Sequence, residues 1–317
     1  MKLVSFRNRQ GEERSGWLRG NFVLDMHVYS QGQLPSRMLE FVQHSALYMP
    51  RVLELDRNLQ DLELSTMQLN FPNGIYTLDQ VTLAAPIPRP PSVRDFYAFE
   101  SHVKTARGRR GLDMVPEWYE IPVFYFTNHH AIVGPGVEIE RPRRTMKLDY
   151  ELEIACVIGK EGRNITADEA DSYILGYCIM NDWSARDIQQ QEVKVGLGPA
   201  KGKDFATSLG PYLVTKDELE TYRSGDRYDL TMTAYVNGTL LSQGNAQEIH
   251  YSFGELIARA SEDATLYPGD VIGSGTVGTG CLLELGEEVH RWLEPGDQVE
   301  LEITGLGRLV NHIKESI

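Results

Sequence analysis

Short apolar segments separated by polar turns dominate the chain. Lys2–Phe6, Gly16–Leu18 and Phe22–Leu24 each read as a strand. Over Ser36–Val52 the residues Met38, Leu39, Val42, Leu47 and Val52 partly share one helical face. Ala85–Pro91 (APIPRPP) carries four prolines in six positions, which neither a helix nor a central strand accepts. It marks a linker or a domain entry. Beyond Val93 the pattern is mostly strand. Val123–Phe126 and Ile132–Val133 are short and apolar, Tyr150–Val157 alternates, and Tyr173–Met180 is a continuous buried run. Ser184–Val195 reads as a helix capped by Ser184. Leu230–Val236 and Thr239–Ser242 flank Asn237-Gly238, a hairpin signal, and Phe253–Ala260 is a short amphipathic helix. Two Pro-Gly-Asp turns, Pro268–Asp270 and Pro295–Asp297, lead into the strands Val271–Gly273 and Val299–Ile303. Strands outnumber helices, so the predicted fold class is a β-rich α+β protein. Residues 1–85 form a small N-terminal unit and residues 86–317 the larger one.

Composition narrows the function classes. The chain has 317 residues, 41% hydrophobic and 24% charged, enough for a sizeable core. Its net charge of -14 speaks against a nucleic-acid or anionic membrane surface, which basic patches read. Cys156, Cys178 and Cys281 are too scattered for a disulfide framework or a zinc knuckle and read as reduced thiols. The first residues lack the apolar core of a signal peptide, and no run approaches the roughly 18 apolar residues of a membrane span. A soluble, cytoplasmic protein is expected.

The chemistry concentrates in two places. Glu151 and Glu153 lie two apart on a predicted strand and so share a face. Buried together, they require a proton or a cation between them; exposed, they are a solvated polar face. Asp182 ends the apolar run before Ser184, as a core-facing carboxylate or as a helix cap. Oxygen ligands without a nearby Cys/His pair favour Mg²⁺, with Ca²⁺ and Mn²⁺ as alternatives, over zinc. Arg186 and Gln189 share a helix face, and Lys203 follows a glycine-rich bend; their ordinary readings are a surface salt bridge and a solvated lysine. Gly273–Gly278 matches a dinucleotide fingerprint by letters, but no helix pattern follows it. Among eight histidines, His102 stands out just after the proline-rich segment, as a base or a structural residue. His129 and His130, placed on a strand, would point to opposite faces and not share a metal.

These segments resemble the fumarylacetoacetate hydrolase (fumarylacetoacetase) family from Val93 to Ile303. The strings are DYELE at 149–153, GYCIMNDWSARDIQ at 176–189, LGPAKGKDFATSLGP at 197–211 and LYPGDVIGSGT at 266–276. The resemblance implies a fumarylacetoacetase-like mixed β-roll C-terminal domain behind a small β-rich N-terminal domain, and a homodimer. It implies metal ligands at Asp95, Glu151, Glu153 and Asp182, with His102 as base and Glu284 as its partner. Arg186, Gln189 and Lys203 would be oxyanion donors, and Tyr97, Tyr125, Thr207 and Thr276 substrate-pocket residues. The acylpyruvase branch has a His-x-x-Glu pair and a Phe-x-Lys-Pro strand. Here Thr105 follows His102, and the strand reads Phe126-Thr127-Asn128-His129. Val193 stands where the fumarylacetoacetase type has Tyr.

The expected activity is therefore metal-assisted hydrolysis of a carbon–carbon bond in a β-diketo acid, fumarylacetoacetate or an acylpyruvate. The alternative keeps the metal and the enolate: decarboxylation of oxaloacetate or isomerisation of a 2-oxo-diacid. Needing no attacking water, it would tolerate loss of the His102–Glu284 pair better. A third reading is a metal-stabilised scaffold without activity.

Overall fold

The Leu152–Ile158 strand is apolar on both faces beyond Glu153, so it belongs in the middle of a sheet covered on both sides. It is buried from end to end. A computed structural model describes residues 1–59, 63–71 and 73–316; residues 60–62 and 72 of the expected N-terminal unit lie outside the described residues. In it, Leu152–Ile158 pairs antiparallel with Ile174–Asn181 on one side and with Val271–Gly273 on the other. The sheet continues through Val93–Phe96, parallel to Val271–Gly273, to Phe124–Phe126 at one edge. In the other direction it runs through Thr207–Thr215 to Lys2–Arg7, Glu13–Arg19, Phe22–Asp25 and Ile75–Thr77. The N-terminal strands thus extend the same sheet as the Val93–Ile303 segment.

Two cores cover this sheet. On one face Ile154, Cys156 and Ile179 pack with Met232, Ala234, Val299, Leu301 and Leu309 of a second, five-stranded sheet. On the other, Ala155, Val157, Cys178 and Met180 meet Trp17, Leu24, Met38, Phe41, Val42 and Val52. The architecture is α+β and sheet-rich, as the strand-dominated pattern predicts. The Asn237-Gly238 turn joins Thr231–Val236 to Thr239–Asn245 with both residues at positive φ, 51° and 78°, the geometry that favours Asn-Gly in two-residue hairpins.

Two local expectations need correction. Ser36–Val52 is not one helix. Met38–Gln43 and Ser45–Arg57 are separate, broken at His44, where the backbone leaves helical geometry (φ -124°, ψ 32°). Leu47 consequently points to solvent, 70% exposed. Ser184 does not cap a helix either. The helix is Arg186–Val193, its cap position is Ala185, and Ser184 pairs with Asp149 in a two-residue strand while its hydroxyl donates to the Asp182 carbonyl.

Candidate active site

Strand periodicity builds the floor of the site. Val93, Ala155, Val157, Cys178, Met180 and Leu209 all belong to the core on the N-terminal-helix side of the sheet. Stepping by two residues along each strand puts Asp95, Glu153 and Glu151, Asp182, and Thr207 on that same face. The core gives way to a buried patch of carboxylates from three chain segments. Asp95 is 2%, Glu151 5%, Glu153 0% and Asp182 0% exposed. Gly273 lies between Asp95 and Ala155 in register. A methyl group there would stand 2.6 Å from Asp95 Oδ1, so glycine makes the room the carboxylate needs. Gly273→Ala is expected to weaken Mg²⁺ binding by about 10–100-fold, the loss typical when a ligand's support is disturbed. Calorimetric titration checks this, and unchanged affinity would remove Asp95 from the ligand set.

Oxygen atoms of Asp95, Glu151 and Glu153 lie within 4.8 Å of one another. Asp182 sits beside this triplet and accepts from Lys203 Nζ at 2.5 Å, from the Tyr125 hydroxyl, and from Thr207 Oγ1 at 3.4 Å. Lys203 also donates to Glu151 Oε2 at 2.5 Å, and Thr276 Oγ1 donates to Glu153 Oε1 at 3.3 Å. Arg186 is neither at the surface nor paired with Asp187 or Glu192. It is buried, with Nε 2.8 Å from Asp149 Oδ2 and Nη1 2.8 Å from Glu151 Oε1. Its Nη1 also reaches Gln189 Oε1 at 3.3 Å, so the two do share a helix face. Lys203 is likewise buried rather than solvated.

The electrostatic balance favours a bound cation. Five buried carboxylates (Asp95, Asp149, Glu151, Glu153, Asp182) face two buried cations, Arg186 and Lys203. Burial raises the Lys203 cost, yet Asp182 and Glu151 outweigh it and push its pKa up. Burial works against the Glu151 charge, but Lys203 and Arg186 overcome it and bring its carboxyl down to about 2. For Asp95 the influence of Lys203 does not offset burial, and Glu153 meets mainly other carboxylates. Burial, then Asp182 for one and Asp95 for the other, pushes both well above the ordinary carboxyl range. Asp95 Oδ1 and Glu153 Oε2 find no hydrogen-bond partner among the described residues. Orphaned, mutually repelling oxygens fit a hard divalent ion such as Mg²⁺, Mn²⁺ or Ca²⁺. Adding Mg²⁺ should therefore raise Tm. Saturation at about 100 times Kd contributes about 2.7 kcal/mol, several degrees by calorimetry, and no shift would count against a metal here.

A second buried cluster, around His102, meets the same cavity. His102 is on the Glu100–Gly108 helix, 3% exposed, with Nδ1 3.0 Å from Glu284 Oε2. The contact is short but not aligned as a hydrogen bond, a state that often tightens only with substrate bound. The Tyr97 ring packs edge-on against His102, centroids 5.3 Å apart, and Trp118 Nε1 holds the Tyr97 carbonyl at 2.8 Å. Asp95, Tyr97, His102, Tyr125, Glu151, Glu153, Arg186, Gln189, Lys203 and Thr276 line one cavity of about 310 Å³. Asp182, Thr207 and Glu284 stand behind its wall. A larger cleft of about 760 Å³, beside Glu138–Arg144, contains none of these residues.

Sequence reasoning passed over Asp149. It is fully buried and accepts from Arg186 Nε and from the backbone N–H groups of Leu282 and Leu283, at 2.7 and 3.1 Å. It thereby fixes the short Leu282–Leu285 helix that carries Glu284. Its place at the head of DYELE was its one local signal. Arg107 and Arg110, a turn and two turns beyond His102, also line the cavity. His129 and His130 are not on a strand. They occupy a 3₁₀ turn with ring centroids 4.3 Å apart.

Comparison with known proteins fits this geometry. Residues 92–314 match the family model described as fumarylacetoacetate (FAA) hydrolase C-terminal, and the chain belongs to the fumarylacetoacetate hydrolase family. Its relatives include the mitochondrial oxaloacetate tautomerase Fahd2a of Rattus norvegicus, 31% identical over 320 residues, spanning 99% of this chain and 91% of that protein. The mitochondrial oxaloacetate tautomerase FAHD2A of Homo sapiens is 34% identical over 298 residues, spanning 93% and 84%. Among solved structures, a fumarylacetoacetate hydrolase from Exiguobacterium antarcticum is 27% identical with a TM-score of 0.72 over 100% of both chains. A 5-carboxymethyl-2-hydroxymuconate delta-isomerase from Mycobacterium smegmatis is 26% identical with a TM-score of 0.69, again over 100% of both. No helix among the described residues is long and apolar enough to cross a membrane.

Proposed function

We propose that the protein interconverts the keto and enol forms of a small 2-oxo-diacid, oxaloacetate or a near analogue, with a divalent cation, Mg²⁺ by preference. The observation that carries this reading is the shared cavity. The carboxylate triplet and His102 line it together, with positive charge from Arg107 and Arg110 for a dianion. The tautomerase relatives, matched over nearly the whole chain, support this isomerase over the hydrolase first expected.

A cation held by Asp95, Glu151, Glu153 and Asp182 would polarise the 2-oxo group and acidify the protons on C3. The chain's own residues then move one proton. Glu284 beside Nδ1 keeps the hydrogen on that nitrogen, which leaves the Nε2 lone pair of His102 for C3. The C3–H bond breaks, its electron pair enters the C2–C3 bond, and Nε2 takes the proton. The same imidazolium protonates the 2-oxygen, completing the enol. While negative charge sits on that oxygen, the Gln189 amide, Arg186 Nη2 and Lys203 stabilise it. Arg186 Nη2 is buried with no hydrogen-bond partner among the described residues, a donor held ready. Such a donor is worth about 3–4 kcal/mol. Tyr97, Tyr125 and Thr276 shape the remaining wall, and Thr207 steadies Asp182 from behind it.

Hydrolysis of a β-diketo acid is the second reading, and the His102–Glu284 contact favours it because the same pair can activate water. A panel of oxaloacetate, fumarylacetoacetate and acylpyruvates, with and without Mg²⁺, separates the two. Accelerated enol–keto exchange without CO₂ release or bond cleavage supports the isomerase; cleavage products overturn it. Assembly as a homodimer belongs to the same proposal, and sedimentation of the purified chain checks it.

A further inference from the structure

Cys281 is a buried thiol that the proposed reaction does not use, and it stands beside two residues that the reaction does use. We propose that His102, Cys281 and Glu284 form a second metal site, one that takes Zn²⁺ and blocks the proton-transfer end of the cavity. One donor atom from each residue lies within 4.8 Å of the others. Glu284 Oε2 is 3.0 Å from His102 Nδ1 and 3.8 Å from Cys281 Sγ. Zinc bonds of about 2.0–2.3 Å in tetrahedral array put ligand atoms about 3.3–3.8 Å apart, so these spacings need small adjustments. All three residues are buried, at 3%, 0% and 5% exposure. Nδ1 of His102 is a buried polar atom without a hydrogen-bond partner among the described residues, turned toward the other two donors.

The donor set distinguishes this site from the neighbouring one. Nitrogen, sulfur and a single carboxylate suit a borderline-soft ion, whereas the all-oxygen patch around Glu153 suits Mg²⁺. Three protein ligands leave a fourth position open toward the cavity, the usual arrangement of a zinc ion that keeps an exchangeable site. The thiol surrenders its proton to buffer on binding. Arg186 lies near Cys281, but Asp149 and Glu151 neutralise it. A zinc ion on Nδ1 also fixes the hydrogen on Nε2, the nitrogen assigned to C3, and removes its lone pair. Occupancy therefore inhibits. That consequence rests on the proposed role of His102; the binding itself does not.

The test titrates Cd²⁺ into the full chain in excess Mg²⁺ and reads the near-ultraviolet thiolate-to-cadmium absorption. One equivalent should develop in the native protein, be displaced by Zn²⁺, and be absent from Cys281→Ser, which retains Cys156 and Cys178 as controls. His102→Gln should weaken Cd²⁺ binding by about 100-fold or more, a loss beyond that of an outer partner, and serves if Cys281→Ser does not fold. In the turnover assay Zn²⁺ should inhibit the native protein, with Cys281→Ser needing at least about 100-fold more. No absorption, absorption that survives Cys281→Ser, or zinc affinity lost in Glu153→Gln but kept in Cys281→Ser would each overturn the site. Cadmium absorption with uninhibited turnover would overturn the blocking role alone, and with no turnover on any substrate the fault lies in the proposed reaction.

Discussion

Glu153→Gln should reduce Mg²⁺-dependent turnover by about a thousandfold. The amide keeps the volume of the side chain and can still accept from Thr276, 3.3 Å away, so the change isolates one charge. Polarisation by a metal is worth several kcal/mol of transition-state stabilisation, and each 1.36 kcal/mol is about tenfold in rate. Glu153 is fully buried and its Oε2 has no other partner among the described residues, so nothing else there compensates. The same substitution should raise Tm without metal, because it relieves the repulsion with Asp95, and should cancel the Mg²⁺-induced rise. Calorimetric Mg²⁺ titration beside the rate assay reads both effects. Turnover within tenfold of native, with the same Mg²⁺ dependence, would show that the ion is not held here.

His102→Gln should slow exchange of C3 hydrogens with deuterated solvent by about 10²–10⁴-fold, the usual contribution of a positioned base, while Mg²⁺ affinity stays unchanged. Nuclear magnetic resonance of the substrate in deuterium oxide measures the exchange directly. Glu284→Gln should give a smaller loss, since it disturbs the orientation of the imidazole and not its presence. The other cavity-lining groups are poor substitutes: Lys203 is held charged between carboxylates, and burial raises the hydroxyl pKa values of Tyr97 and Tyr125. Undiminished exchange in His102→Gln would remove the base and leave polarisation alone to explain turnover. The sequence reading expected an isomerase to tolerate this loss better than a hydrolase would; among the described residues no other neutral base lines the cavity wall, which argues for the larger effect.

What was legible in the sequence was what local periodicity encodes. The two-residue step places Glu151 and Glu153 together, and the apolar run before Asp182 carries that residue inward. Asn237-Gly238 declares its hairpin by backbone preference alone. The resemblance added the His102–Glu284 pairing, whose members are separated by 182 positions and share no local pattern. Asp149 was missed for the same reason: its partners, Arg186 and the N–H groups of Leu282 and Leu283, come from distant segments. Local patterns also misjudged the break at His44 and the turn at His129–His130, where tertiary packing sets the backbone. The choice between isomerase and hydrolase was not legible, because both use the same carboxylates and the same imidazole.

Asp95 and Glu153 rise from strands locked into the central sheet, with Glu151 just ahead of one of them, whereas His102 and Arg107 ride on a single short helix at the cavity and Arg110 follows its end. On the proposed reading, ion capture and part of the substrate contact therefore fall on separable pieces of chain. A descendant of this fold could exchange the overlying helix and its flanking loop for another sequence, and so acquire a different acid as its target, without rebuilding the anchorage below.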